Sequence, residues 1–484
     1  LAHDRGLPQR RFQDPGPRGR GLNREDVTIA SAPSADVTDN GVGPLEERPW
    51  WSWFIGVSAA WVALVHATLW WLDRRPVPRT FWGDETTYLG SATRLLAGDP
   101  GWWPEPLWPP LYPQVLAGWL WLGGGSSTTV ALVQTTLLAV TAILLFDLVR
   151  RWTGSRAAGV AAAVAAIGYP PLAAFAHYLW PEVLHLFLFV VLLWVLATRP
   201  DSGWWCSFAG VVLGLALLCK SLLLPVVPVF LAAAFWGRPW RRGLRLTAVV
   251  LAFALATIAP TLTANARRVG SPSIANSATF NLWVGLNDVG RESFQNDVVW
   301  PEYQAWVASA ETTAGRDRIL RSRIRELIRD RGFVAVLVDQ LSKQPFRLFD
   351  IGCYFTDQLP GGAAQRQSGA GYLGLGPRAG AFFATVTACS VLGLYLAAVF
   401  GLIFGGCRRH RWVRVLLVFI AYNLALFLWL HVKTRYRIQM LPAGFVGVGC
   451  LVAWIEAGQL PRPTIAGVSA AIGVAGCLFW FALA

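Results

Sequence analysis

Apolar runs of roughly 20 residues, the length a helix needs to cross a lipid bilayer, recur along this chain. They fall at 51–72, 127–149, 157–173, 182–198, 204–221, 223–236, 244–263, 380–405, 412–430, 438–456 and 464–483. Pro170-Pro171 interrupts one run and 223–236 is short, so the pattern predicts about 11 spans, within a range of about 10–13. The fold class is an all-α polytopic membrane protein. Residues 1–49 lack apolar periodicity and are rich in Arg, Gly, Pro and Asp, the composition of a disordered tail. The run behind them is too long for a cleavable signal and reads as a signal anchor. The membrane body is then 50–484.

Composition agrees with the pattern. Of 484 residues, 54% are hydrophobic and 14% charged, with mean hydropathy +0.44; a soluble chain carries far more charge. The 26 Trp residues fit aromatic belts at two interfaces. The net charge of +14 does not argue for a nucleic-acid partner, because much of it lies in short loops and the tail. The seven Cys are odd in number and show no metal-ligand spacing, so neither a disulfide framework nor a zinc site is inferred.

Charge then sets the topology. With the tail inside and spans alternating, inside loops hold Arg150, Arg151 and Arg156; Arg199; Arg238, Arg241, Arg242 and Arg245; Arg408, Arg409, Arg411 and Arg414; and Arg462. That is the positive-inside asymmetry, and it predicts a multi-pass plasma-membrane protein with a cytoplasmic N-terminus. The same alternation sends Asp84, Glu85, His177, Glu182, Lys220, Arg267, Arg268, His431, Lys433, Arg435 and Arg437 outside. Acids and bases from distant segments thus meet one membrane face, as a substrate with a polar head and a lipid tail requires.

The first outer loop, 73–126, carries the adjacent carboxylates Asp84 and Glu85, which are expensive beside a bilayer. Asp84 to Ala97 predicts an amphipathic helix with Leu89, Ala92, Leu95 and Leu96 on one stripe and Asp84 and Tyr88 on a shared face. Asp84 could serve as an N-cap, but capping leaves Glu85 unexplained. Trp102, Trp103, Trp108, Pro109, Pro110, Tyr112 and Pro113 form a stiff interfacial anchor. The large outer segment, 264–379, contains a basic helix, Arg316 to Arg331. Ile319, Leu320, Ile324, Leu327 and Ile328 are on one side of it, suited to lie flat among headgroups. Gly- and Ser-rich residues 361–376 predict a flexible loop able to act as a lid.

The remaining candidates each carry two readings. Lys220, between two apolar runs, either meets a phosphate or snorkels to the interface. Glu182, after Pro181, either faces the first acid pair or favours a helix N-terminus. Arg267, Arg268, Lys433, Arg435 and Arg437 either bind a phosphodiester or touch lipid headgroups.

Gly83-Asp84-Glu85-Thr86-Thr87-Tyr88, followed by Ala92, Leu96 and Gly98 and then by Pro109-Pro110-Leu111-Tyr112-Pro113, resembles the GT-C membrane glycosyltransferases. The likeness is to the protein O-mannosyltransferase branch and the lipid A aminoarabinose transferase, over roughly 51–456. Pro181-Glu182, Gly214-Leu215-Ala216-Leu217-Leu218-Cys219-Lys220, Asn281-Leu282-Trp283-Val284-Gly285 and Arg435-Tyr436-Arg437 add to it. There are departures: Ala264-Asn265 stands where the family often has Arg-Asn, Gly285-Leu286-Asn287 for a Gly-Asn pair, and Gln439 for a Pro.

The resemblance implies a GT-C-like bundle with outer-face juxtamembrane helices. It also implies inverting transfer of a sugar from a polyprenyl-phosphate donor on the outer face. Asp84 would be the general base and Glu85 would orient the acceptor. Tyr88, Glu182 and His177 would serve as acceptor contacts or second acids, and the Lys and Arg set would hold the donor phosphate. The partners are the lipid-linked donor, membrane lipids, and an acceptor that is protein, lipid or polysaccharide. A divalent metal is left open, with no ligand set compelling one. The rival reading is a transporter or flippase for a lipid-linked sugar, which would place its polar groups nearer the midplane.

Overall fold

The apolar runs fold as helices whose ends are set by local chemistry. In this computed structural model, residues 49–103, 107–287, 301, 304–305, 308–310 and 312–458 are described. The chain divides into two compact units, Leu1–Ile55 and Gly56–Ala484. The tail expected to be disordered, 1–48, the run 464–483 and Arg462 lie outside the described residues.

In chain order the helices are α1 Pro49–Asp73, α2 Asp84–Leu96, α3 Leu111–Leu122, α4 Ser127–Thr153, α5 Arg156–Ile167, α6 Pro170–Phe175, α7 Glu182–Thr198, α8 Gly203–Cys219 and α9 Val227–Phe235. They continue with α10 Trp240–Val269, α11 Ala278–Asn287, α12 Thr313–Arg331, α13 Phe333–Leu348, α14 Tyr354–Asp357, α15 Ala363–Ser368, α16 Pro377–Phe404, α17 Arg411–Phe427 and α18 Leu441–Glu456. Short 3-10 turns, Ser221–Val226 and Thr434–Met440, precede α9 and α18. Ser126 and Ser155 cap α4 and α5 by accepting from the amides of Thr128 and Ala158, satisfying donors that a helix start leaves open. Pro170 and Pro171 open α6, where a missing N–H costs nothing.

Among the described residues no strand forms. Among the described residues, five helices are long and apolar enough to cross a membrane: Ser52–Asp73, Ser127–Thr153, Trp240–Val269, Pro377–Phe404 and Thr434–Glu456. Arg156–Ile167, Glu182–Thr198, Gly203–Cys219 and Ser221–Phe235 are apolar but shorter. The architecture is that of a polytopic helical membrane protein.

Burial sorts the helices. α7 is apolar around its whole circumference and almost wholly buried, as such a helix must be; it packs on α4 and α8. Leu64, Leu255 and Phe382 stay exposed on α1, α10 and α16, as on a surface facing hydrocarbon. The close approach of α8 and α10 uses small residues. A β carbon on Gly210 would lie 2.4 Å from the Val250 carbonyl oxygen, and one on Gly214 would lie 2.5 Å from Thr257 Cβ. Four residues apart, the two glycines share one face of α8 and let α10 press against it.

Three expectations change. Cys407 and Cys450, 43 residues apart with Cα atoms 6.0 Å from one another, form a disulfide; an odd cysteine total does not preclude one pair, and this spacing carries no motif. The segment 361–376 is no loose lid. The Thr80 amide donates to the Gly371 carbonyl at 3.1 Å and Gly371 returns the bond at 3.3 Å, while the Tyr372 amide donates to Gln358 at 2.9 Å. The apolar side of α12 does not face headgroups: Leu320 and Ile324 are buried with Phe280, Trp283 and Val284 of α11.

Candidate functional site

Gly83 decides how the two carboxylates of α2 diverge. It precedes the helix at φ 64° and ψ −140°, a region costly to any residue with a β carbon, and it supplies no side-chain cap. Asp84 and Glu85 are therefore the first two helical residues, about 100° apart around the axis.

Glu85 turns inward and is fully buried. Arg79 donates to it through Nη1 at 2.7 Å and Nη2 at 2.8 Å. The amides of Trp82 and Leu179 add bonds at 3.2 and 3.0 Å, and the Tyr354 hydroxyl one at 3.4 Å. Burial works against the Arg79 charge, but Glu85 more than offsets it, so the guanidinium stays charged. With both oxygens occupied and no exposed surface, Glu85 has nothing left with which to orient an acceptor. It fastens the start of α2 to the segment before α7.

Asp84 turns the other way, and its side chain is 32% exposed. Arg435 Nη2 donates to Asp84 Oδ2 at 3.1 Å. Arg435 Nε stands 3.8 Å from Glu182 Oε1, to which Lys220 Nζ donates at 2.8 Å. Two acids and two bases from four distant segments thus form one line, Asp84–Arg435–Glu182–Lys220. Its inner members, Arg435 and Glu182, are 10% and 1% exposed at the side chain, and Lys220 is 17% exposed.

The fold dictates this convergence. Glu182 is the first residue of α7, where the helix dipole favours a carboxylate. Lys220 follows the last residue of α8 in an extended conformation, and Arg435 sits in the turn before α18. The Arg435 guanidinium lies over the Trp180 ring at 4.1 Å, a cation–π contact that fixes its plane. Tyr88 is buried edge-to-face against Tyr112 and Trp180. Burial, then the charges of Asp84 and Glu182, push its phenol up, so it stays protonated. Buried Gln134 donates to the carbonyls of Ala176 and Tyr178 at 3.2 and 2.8 Å, holding the approach to Trp180.

The structure places the other candidates elsewhere. His177 is buried and pairs through Nδ1 with Asp73 Oδ2 at 2.6 Å, beside the Trp70 ring. Arg267 is exposed, and Arg268 donates to the Trp103 carbonyl, tying the end of α10 to the first loop. Arg437 is buried and donates to the carbonyls of Asp350 and, at 3.0 Å, Gly352. Lys433 is half-buried, and its charge acts on Asp357. The buried stripe of α2 is Glu85, Tyr88 and Ala92, with Leu96 exposed, because the helix packs its acid-bearing end inward.

Arg79, Asp73, Trp180, Tyr354 and Gln134 escaped the sequence reading. Arg79 had a signal, a lone cation six residues before Glu85; Tyr354 and Gln134 had none. Among the described residues no group of three or more His, Cys, Asp or Glu side chains is arranged to hold a metal ion.

The chain matches no curated protein. The family match begins just before α3 and runs to α10, taking in His177, Glu182 and Lys220; Asp84 and Arg435 lie on either side of it and reach the site through the fold. Residues 108–263 match the family model described as dolichyl-phosphate-mannose-protein mannosyltransferase, and over that stretch the chain is similar to this family of membrane glycosyltransferases.

Proposed function

We propose that this protein is an integral membrane glycosyltransferase that moves a sugar from a polyprenyl-phosphate donor to an acceptor hydroxyl at the end of the bundle bearing Asp84. The observation that carries the reading is the ionic line Asp84–Arg435–Glu182–Lys220. The family match over 108–263 supports a sugar-transfer chemistry.

In this reading the donor phosphate takes Arg435 and Lys220, both able to make charge-assisted bonds to it. Glu182 keeps the two cations in place, since its carboxylate is buried between them. Arg435 cannot serve the phosphate and Asp84 equally, so donor binding loosens its hold on Asp84. The freed carboxylate then accepts the acceptor proton as the hydroxyl oxygen bonds to the anomeric carbon. The bond from that carbon to the phosphate oxygen breaks, its electrons leave with polyprenyl phosphate, and the cations stabilise the departing charge. A single displacement inverts the anomeric centre. The acceptor class is protein, lipid or polysaccharide, and no step is routed through a metal.

The test incubates purified protein with several polyprenyl-phosphate sugars and candidate acceptors and measures release of polyprenyl phosphate. Release that depends on acceptor and on Asp84 supports the reading. Movement of the donor across a liposome bilayer without release would instead establish the transporter.

A further inference from the structure

Helix α13, Phe333–Leu348, is built inside out. Its buried face carries Gln340, Lys343, Gln344 and Arg347, all no more than 4% exposed. Its outward face carries Val334, Val338, Leu341 and Phe346, exposed at 71%, 60%, 50% and 53%. A soluble surface helix shows the opposite arrangement. The helix is also not a span: it has 16 residues and includes Asp339, Lys343 and Arg347.

The inner face explains where its polar groups go. Gln344 Nε2 donates to the Gly285 carbonyl at 3.2 Å and to Gln340 Oε1 at 2.9 Å, and Lys343 Nζ donates to Asp339 at 3.0 Å. Leu348 packs with Val432 and Met440, and with half-buried Tyr436, so this side lies against the segment carrying Arg435. Among the described residues of α13, the exposed positions carry only small or apolar side chains, Ser342 excepted.

The preceding helix names the occupant. α12 joins α13 through Gly332 alone. Its apolar side is taken up by α11, while Arg318, Arg321, Arg325 and Arg329 are exposed at a spacing that lines one helical face. An arginine stripe followed immediately by an outward apolar stripe complements the boundary of a bilayer containing anionic lipid. We infer that α12 and α13 form a membrane-docking surface, with α13 lying in the interface, its apolar side in acyl chains, and the arginines of α12 on anionic headgroups. α13 is thereby a wall with lipid on one side and the Arg435 turn on the other.

The full-length protein, with Cys389 and Cys477 replaced by Ser, is labelled with an environment-sensitive fluorophore at Val338→Cys, Leu341→Cys or, as a headgroup-level control beside the arginine stripe, Ser322→Cys. It is reconstituted in phosphatidylcholine liposomes containing phosphatidylglycerol. Labels at 338 and 341 are expected to be quenched by acyl-chain nitroxide lipids and several-fold less by aqueous iodide than the label at 322. Nitroxide-tagged phosphatidylglycerol should quench them more than tagged phosphatidylcholine, a preference lost when Arg318, Arg321 and Arg325 are all Gln. Iodide quenching equal to the control, or shielding from both quenchers as a second copy or a protein partner would give, overturns the inference. Equal quenching by the two tagged lipids in the unsubstituted protein overturns the headgroup assignment.

Discussion

Arg435 reaches across 351 positions of sequence to donate from Nη2 to Asp84 Oδ2 at 3.1 Å. This bond joins the turn before α18 to the first residue of α2, and it sets a part-exposed carboxylate beside a largely buried guanidinium.

Asp84→Asn is expected to lower turnover roughly 100- to 10,000-fold, the usual contribution of a general base. The amide oxygen still accepts from Arg435, so donor affinity should change little. Paired measurements of transfer rate and donor binding check this; undiminished turnover would remove Asp84 from the chemistry.

Arg435→Ala and Lys220→Ala are each expected to weaken donor binding about 10- to 100-fold, since a charge-assisted bond contributes about 1.5–3 kcal/mol. Acceptor affinity should move far less. Lys220→Ala also leaves Glu182 buried beside one cation fewer, so it is compared in a Glu182→Gln background to separate folding from binding. A larger loss for acceptor than for donor contradicts the phosphate assignment.

Glu85→Ala should unfold the protein more easily rather than slow the chemistry selectively. It strands the Arg79 guanidinium, and breaking a buried ion pair costs about 3–5 kcal/mol. Replacing both partners, Arg79→Met with Glu85→Leu, should restore most of that stability. Thermal unfolding of the single and double variants in detergent reads the difference. A fully stable Glu85→Ala protein that fails only to bind acceptor would return Glu85 to the catalytic set.

Gly83→Ala forces a β carbon into a left-handed conformation, a strain of about 1–3 kcal/mol. The expected result is a lower unfolding midpoint together with slower transfer, because relaxing this turn swings Asp84 off Arg435. An unchanged protein would show that the turn tolerates ordinary residues.

Asp357 gives a pH dependence. Burial and then the neighbouring Asp350 push its carboxyl up to about 6. Its ordinary value is lower, so between the two the folded state binds more protons than the unfolded one, and stability falls as pH rises from about 4 to 6. At neutral pH the charged, half-buried Asp357 is destabilising by up to about 3 kcal/mol. Asp357→Asn should therefore flatten the profile and raise the unfolding midpoint at pH 7. A variant less stable there than the parent would show that the charged form is well paired.

The sequence carried the helices because each apolar run is a local property. α7 and the run 182–198 coincide, and Pro170-Pro171 marks a real break before α6. It also placed Asp84, Glu182, Lys220 and Arg435 in one set, since each stands at the end of an apolar run or in an outer link between two, and such positions collect at the faces of a bundle. It could not separate Glu85 from Asp84. They are adjacent in sequence, yet one is sealed by Arg79 and Leu179 while the other meets Arg435, an outcome fixed by the rotation of α2 about its axis.

By itself, then, the order of residues determined which segments are apolar enough for a membrane and which charged residues stand at their ends. Only the tertiary structure decided which charges meet. It removed His177, Arg268 and Arg437 to other partners, turned the apolar side of α13 outward, and closed the line from Asp84 to Lys220. The reason is physical: hydrophobicity accumulates along a few neighbouring residues, whereas a hydrogen bond depends on ångström positions that dozens of packed side chains set together.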